Sequence, residues 1–179
     1  MGGRKMTIAN RDYERLYADR VTFDGGSESD HTELWDLLLR FLEANDTIDT
    51  DVLRTIWSAD PGCLFFNANG FTYRGLDDWC RIWDFYRPQF EVIEPFDPGQ
   101  TQVRIRGTIA VAVTEKGRRH KRWVPQSGRD LDDRQLAAGV ISYWRATQVF
   151  EQTDAGWRVV HAHFSEEATG TRPDLMDEA

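Results

Sequence analysis

The spacing of apolar positions divides the chain into helices first and strands later. Leu34, Leu38, Phe41 and Leu42 recur on one helical face, with Trp35 and Leu39 beside them. Asp30 and Glu33 precede that face with the spacing of a capping box, and Asn45-Asp46-Thr47 ends it. A short second helix is predicted over about 50–58, starting at Asp49 or Thr50. Cys63-Leu64-Phe65-Phe66 reads as a strand that turns at Asn69-Gly70 into Phe71-Thr72-Tyr73. Gly75 opens a third helix, in which Trp79, Ile82, Trp83 and Tyr86 keep helical spacing until Pro88 stops it.

Beyond Pro88 the period falls to two. Residues 90–96 read as a strand, Asp97-Pro98-Gly99-Gln100 as a turn, and 101–115 as one long strand. That strand carries Val103, Ile105, Ile109, Val111 and Val113 on one face and Arg104, Arg106 and Thr108 on the other. Two runs rich in Val, Thr and aromatics, within 142–165, flank Thr153-Asp154-Ala155-Gly156 and form a closing hairpin. The order predicts an α+β fold, a curved antiparallel sheet wrapped around the N-terminal helices. Residues 1–28 are expected to be an arm with a short helix near 9–19, packed on a neighbour or over a pocket mouth. Residues 29–167 form the domain, 116–137 an insertion that lids the pocket or swaps onto a neighbour, and 168–179 an acidic tail.

Composition narrows the function classes. With 179 residues, 40% hydrophobic, and seven Trp, the chain can bury the core of one domain. A net charge of −8 disfavours a nucleic-acid partner. The basic run 116–122, KGRRHKR, reads as a solvated loop partly paired with Asp130, Asp132 and Asp133. Cys63 and Cys80 lack metal-ligand spacing and read as buried thiols. No apolar run suits a signal peptide or a membrane span, so a soluble cytoplasmic protein is expected. There is no P-loop, dinucleotide fingerprint or nucleophile motif, and any chemistry is expected to use side chains alone, with no cofactor and no metal.

Three segments carry a resemblance: Ile56-Trp57-Ser58-Ala59-Asp60-Pro61, Tyr73-Arg74-Gly75, and the hairpin with TQVF before its turn and WRVVHAHFS after it. Together they resemble SnoaL-like domains of the nuclear-transport-factor-2-like (NTF2-like) superfamily, over roughly residues 30–166. The resemblance implies a cystatin-like cone whose concave face and helices enclose a blind pocket, with a convex face that often packs on another subunit. The superfamily holds cofactor-free lyases and isomerases, and also assembly modules such as the association domain of calmodulin-dependent kinase.

By that resemblance Arg106 matches a pocket arginine of the kinase association domains, and Gln148 stands where they carry another. If Gln148 faces inward, alternation turns Trp144, Ala146 and Phe150 inward, with Val160, Ala162 and Phe164 on the last strand. His161 and His163 then fall outward with Trp157, Val159, Tyr143 and Arg145. Two histidines near Ser165 would suit metal or proton chemistry, but on the outer face they read as hydrogen-bonding or subunit-contact groups. Trp35, Phe41, Phe66, Tyr73, Trp79, Trp83 and Tyr86 each read singly as core, and together as walls for a flat aromatic or polycyclic ligand.

Asp46 matches the catalytic aspartate of the dehydratase-like branch, which includes hexachlorocyclohexane dehydrochlorinase. It is either a base at the rim of an apolar pocket or a helix-terminating cap. The histidine that partners it in that branch is missing, since the region reads Phe85-Tyr86-Arg87. Tyr86 could donate a proton there, or Arg87 orient Asp46. Ala162 replaces the dehydrochlorinase's arginine, and Arg106 could supply that charge. The expected catalytic residues are therefore Asp46, Tyr86 and Arg106. The expected substrate-binding residues are Trp35, Phe41, Phe66, Tyr73, Trp79, Trp83, Trp144, Gln148 and Phe164.

The function these residues suggest is a cofactor-independent lyase, dehydratase or isomerase acting by general acid–base catalysis on an aromatic small molecule. A lignin-derived diarylpropane diol that loses formaldehyde is the specific case. The alternative is a non-catalytic ligand-binding or oligomerisation domain. Under either reading a homo-oligomer, dimer or trimer, is expected, with no nucleic acid and no membrane as partner.

Overall fold

Four helices and eight strands make up residues 13–124 and 140–168, the part of the chain that this computed structural model describes. The helices are α1 (Tyr13–Tyr17), α2 (Glu28–Thr47), α3 (Thr50–Ile56) and α4 (Gly75–Tyr86). The strands are β1 (Val21–Asp24), β2 (Leu64–Phe66), β3 (Thr72–Arg74), β4 (Phe90–Asp97), β5 (Gln100–Arg106), β6 (Ile109–Trp123), β7 (Val140–Thr153) and β8 (Gly156–Glu166). They form one curved, unclosed sheet in the order β1-β5-β6-β7-β8-β2-β3, with β4 paired to the far half of β6.

α2 begins one turn earlier than the Asp30/Glu33 spacing suggests. Ser27 is its N-cap, and Ser27 and Asp30 exchange the two hydrogen bonds of a capping box. The Ser27 N–H and hydroxyl, both donating to Asp30 Oδ2, and the Trp157 indole, donating to Oδ1 at 3.0 Å, hold the Asp30 carboxyl below the usual carboxylate range. The cap thus ties the start of the longest helix to β8. Leu34, Leu37, Leu38, Phe41 and Leu42 bury the inner face of α2.

The arm is more structured than expected. β1 adds to β5 in parallel, pairing Val21 with Thr101 through Asp24 with Arg104. Tyr17 is 1% exposed against Trp35, and burial pushes its hydroxyl pKa well up. Residues 1–12 of the arm, 125–137 of the insertion and 169–179 of the acidic tail lie outside the described residues.

The strand expected over 101–115 is two strands. Gly107 and Thr108 turn β5 into β6, so their parities differ. Thr101, Val103 and Ile105 face the core from β5, while Ala110, Ala112 and Thr114 do so from β6. Ile109, Val111 and Val113 therefore face outward. The basic run is not a loop either, because β6 continues through it to Trp123. Its described partners are Glu94 for Arg118, Glu166 for Arg119 and Glu91 for Arg122. Asp130, Asp132 and Asp133 lie outside the described residues.

Within the hairpin, Trp144, Ala146, Gln148 and Phe150 are buried, and Tyr143 and Arg145 are exposed. The β8 reading needs a correction. Trp157 and Val159 are 1% and 0% exposed, inside rather than outside. A bulge at Val160 separates the pairs Phe150–Val159 and Val149–His161, and it resets the alternation. Val159 can then point inward together with Ala162, while His161 and His163 remain outside.

Asp46 lies in the last turn of α2 and is 3% exposed. Its Oδ1 accepts the Phe96 N–H at 2.6 Å, and its Oδ2 accepts the Tyr13 hydroxyl at 3.2 Å. One carboxylate therefore joins α1, α2 and β4. Asp46→Ala strands a buried backbone donor and should lower unfolding free energy by about 1–3 kcal/mol, measured by urea denaturation. Unchanged stability would remove Asp46 from this docking role.

Candidate functional site

β6 changes partner midway. Through Glu115 it pairs with β5, and from Arg118 onward it pairs with β4. The changeover is a bulge between Thr114 and Gly117, where Lys116 takes a left-handed φ of 57°. The extra residue switches the inward set from Ala110, Ala112 and Thr114 to Gly117, Arg119, Lys121 and Trp123. Two cations and an indole thereby reach a cavity that continuous alternation would deny them.

Gly117 and Gly99 make this turn of structure possible. A Cβ at Gly117 would lie 2.1 Å from Cε2 of the Trp144 indole, which covers that glycine. A Cβ at Gly99 would lie 2.1 Å from the Glu115 carbonyl oxygen, because the β4–β5 turn presses on the bulge. Trp144 is held in turn by Phe96, 5.0 Å away between ring centroids, and by the edge-to-face ring of Phe41 at 6.2 Å.

The cavity has a volume of about 230 Å³ and aromatic walls. In one wall Phe164 stacks between Phe41 and Trp79, at interplanar angles of 17° and 10°. In the other, Tyr86, Phe90 and Trp123 pack with centroids 5.8–6.4 Å apart. The Lys121 ammonium sits 4.5 Å from the Phe90 ring centre and 4.7 Å from that of Trp123. Trp83, Asn45, Asn67, Asn69 and Glu166 also line it.

Arg119 is the pivot of the polar edge. Its Nε donates to Ser142 Oγ at 3.1 Å, and its Nη2 donates to Glu166 Oε1 at 3.4 Å. Burial pushes the guanidinium pKa down, opposed by the Glu166 carboxylate and the Tyr86 phenol. Tyr86, Arg119 and Glu166 thus form a hydroxyl–cation–carboxylate group within electrostatic reach along one edge of an aromatic cavity.

The structure brings together only part of the set that the sequence singled out. Phe41, Trp79, Trp83, Tyr86, Trp144 and Phe164 line the cavity. Trp35 packs on Tyr17, Tyr73 meets Trp79 edge-on from behind and accepts from Asn69, and Phe66 lies outside against His161 and His163. Gln148 is 2% exposed on the inner sheet face, between Ala112 and Ala162, and is not in the lining. Arg106 points away: it pairs with Asp24 at 2.9 Å, and its side chain is 67% exposed. Asp46 is also outside the lining, engaged with Phe96. Arg87 donates to the Ile48 carbonyl and to Thr50, so it seals the end of α2 instead of orienting Asp46. His161 Nδ1 lies 2.7 Å from the Leu64 carbonyl oxygen. Among the described residues no group of three His, Cys, Asp or Glu is placed to hold a metal.

Arg119, Lys121, Phe90 and Glu166 are among the lining residues that sequence reasoning passed over, and Trp123 was expected only as part of an insertion that lids the pocket or swaps onto a neighbour. One signal for them was present: Gly117 inside a basic run, followed by cations and Trp123 at spacing two.

The SnoaL-like domain matches residues 35–169, and the chain belongs to that family. Solved structures share its NTF2-like, cystatin-like fold. A candidate dehydratase of the NTF2-like family from Streptomyces avermitilis superposes with a TM-score of 0.62 at 20% identity, covering 80% of this chain and 100% of that one. An NTF2-like superfamily protein from Salmonella enterica serovar Typhimurium gives 0.59 at 19% identity, covering 83% and 99%. A candidate calcium/calmodulin-dependent kinase II association domain from Exiguobacterium sibiricum gives 0.59 at 15% identity, covering 82% and 98%. No curated protein matches the chain.

Gly117→Ala should displace Trp144 and close the cavity, at a cost of about 1–3 kcal/mol from overpacking. Denaturant unfolding and the near-ultraviolet circular dichroism of the Trp residues check this. A variant with parental stability and spectrum would show that the indole does not depend on the bare glycine.

Proposed function

We propose that this chain is a cofactor-independent lyase or isomerase acting on a small aromatic molecule held in the cavity. The observation that carries the reading is the Tyr86–Arg119–Glu166 edge on an otherwise aromatic pocket. Glu166 would take the proton, Arg119 would stabilise the oxyanion that forms, and Tyr86 would return a proton to the leaving or rearranging oxygen. This assignment keeps Tyr86 from the sequence reading and replaces Asp46 and Arg106, whose carboxylate and guanidinium are engaged elsewhere.

Size narrows the substrate. An engineered apolar cavity of roughly 150 Å³ holds benzene, so about 230 Å³ suits one substituted ring. A diarylpropane diol would have to leave its second ring at the open mouth, and it is the less favoured candidate.

A second reading, ligand binding or assembly without turnover, draws on the same structure: Asp46, at the family's catalytic position by resemblance, is committed to a backbone amide. The homo-oligomer belongs to both readings. We place its contact on the outer sheet face, where Val113, Ile109 and Tyr143 are 41%, 39% and 50% exposed on neighbouring strands.

A screen of single-ring aromatic alcohols and diols, with diarylpropane diols included, should find turnover without added metal or cofactor. Tyr86→Phe and Glu166→Gln should each slow it by about 10²-fold or more while ligand still binds. Parental rates in both variants would sink the site assignment, and binding without conversion across the screen would establish the second reading. In sedimentation velocity, Val113→Glu should shift the protein toward monomer. A parental profile would move the subunit contact off this face.

A further inference from the structure

We propose that the cavity's ligand carries a carboxylate on its aromatic ring, received by Arg119 and Lys121. This deepens the preceding reading and rests on the cavity being a small-molecule site.

The lining holds two cations, Arg119 and Lys121, against one carboxylate, Glu166. Trp79 and Trp144 are 2% and 3% exposed, and their indole N–H groups find no acceptor among the described residues. One layer deeper, the buried side-chain amide nitrogen of Gln148 is in the same state. Buried donors normally have partners; the two indoles belong to lining residues but are packed behind the cavity surface, so it is the charged groups that favour an anion.

The recorded bonds of Arg119, to Ser142 and Glu166, use Nε and Nη2 and leave the hydrogens of Nη1 without an acceptor among the described residues. Glu166 is a partial counter-charge: its contact is 3.4 Å long and its side chain is 59% exposed. Burial disfavours the guanidinium charge, and with its side chain 26% exposed an anion arriving beside it meets a cation that water screens only in part. Lys121 holds a second positive charge at the same edge, over the Phe90 and Trp123 rings.

The chain as a whole carries a net charge of −8. Its strands mostly turn charge outward, yet the bulge in β6 turns two cations inward. A planar fork such as Arg119 matches a carboxylate with two parallel N–H bonds. The cavity volume leaves room for one ring and that group.

Benzoate and benzamide have nearly the same shape and differ in charge, so they separate this inference from the reading beneath it. Both are titrated by calorimetry into the parent, Arg119→Met and Lys121→Met at low ionic strength, with circular dichroism to confirm folding. The parent should bind benzoate at least about tenfold tighter than benzamide. Arg119→Met should erase the ratio while benzamide binding persists, and Lys121→Met should reduce it. Equal affinities in the parent, or a ratio that survives both substitutions, overturn the carboxylate and leave the aromatic cavity standing. Binding of neither compound to the parent overturns both. If Arg119→Met does not fold, the parental ratio and Lys121→Met decide.

Discussion

The constraint on which the site depends is the strict alternation of side chains along a strand, together with the one place in β6 where it is broken. An uninterrupted strand from Ile109 to Trp123 would keep the parity of Ala110 and Ala112 to its end. Arg118, His120 and Arg122 would then face the cavity, and Arg119, Lys121 and Trp123 would face out. The bulge exchanges the two sets. It sits where β6 trades β5 for β4, so the same irregularity branches the sheet and selects the lining. Gly99 on one side and the indole over Gly117 on the other leave no space there for a side chain.

Most elements were legible because each is signalled locally. The face of α2, the Asn69-Gly70 turn, the run of α4 to Pro88 and the closing hairpin follow from periodicity and turn chemistry within a few residues. The inward set Trp144, Ala146, Gln148 and Phe150 followed from parity on an unbroken strand. Parity failed wherever a strand was irregular. A two-residue turn hid inside what read as a single strand over 101–115, and a bulge at Val160 brought Trp157 and Val159 inside. Both have the same effect: a turn of two residues reverses the chain and a bulge of one skips a position, and either inverts the parity beyond it.

Asp46 shows a different limit. Its position in the chain matched a catalytic aspartate by resemblance, but a carboxylate's role depends on what reaches it. Here the Phe96 amide and the Tyr13 hydroxyl, fifty and thirty-three residues away in sequence, reach it first. Arg106 is similar, because its parity on β5 turns it toward Asp24 of β1, a strand with too few residues to announce itself. Long-range partners of this kind have no signature in the sequence near the residue they claim.

The break in β6 also divides the strand into two portions under different physical demands. Positions 110, 112 and 114 are small or hydroxylic because the sheet must close over the helices there. Positions 119, 121 and 123 lie past the break, beside β4, and their size and charge shape the cavity. Substitutions among them change what enters while leaving the helix-covering positions 110, 112 and 114 as they are. A lineage could thus exchange one ligand for another through three alternate positions of a single strand, while the remainder of the cone stays as it is.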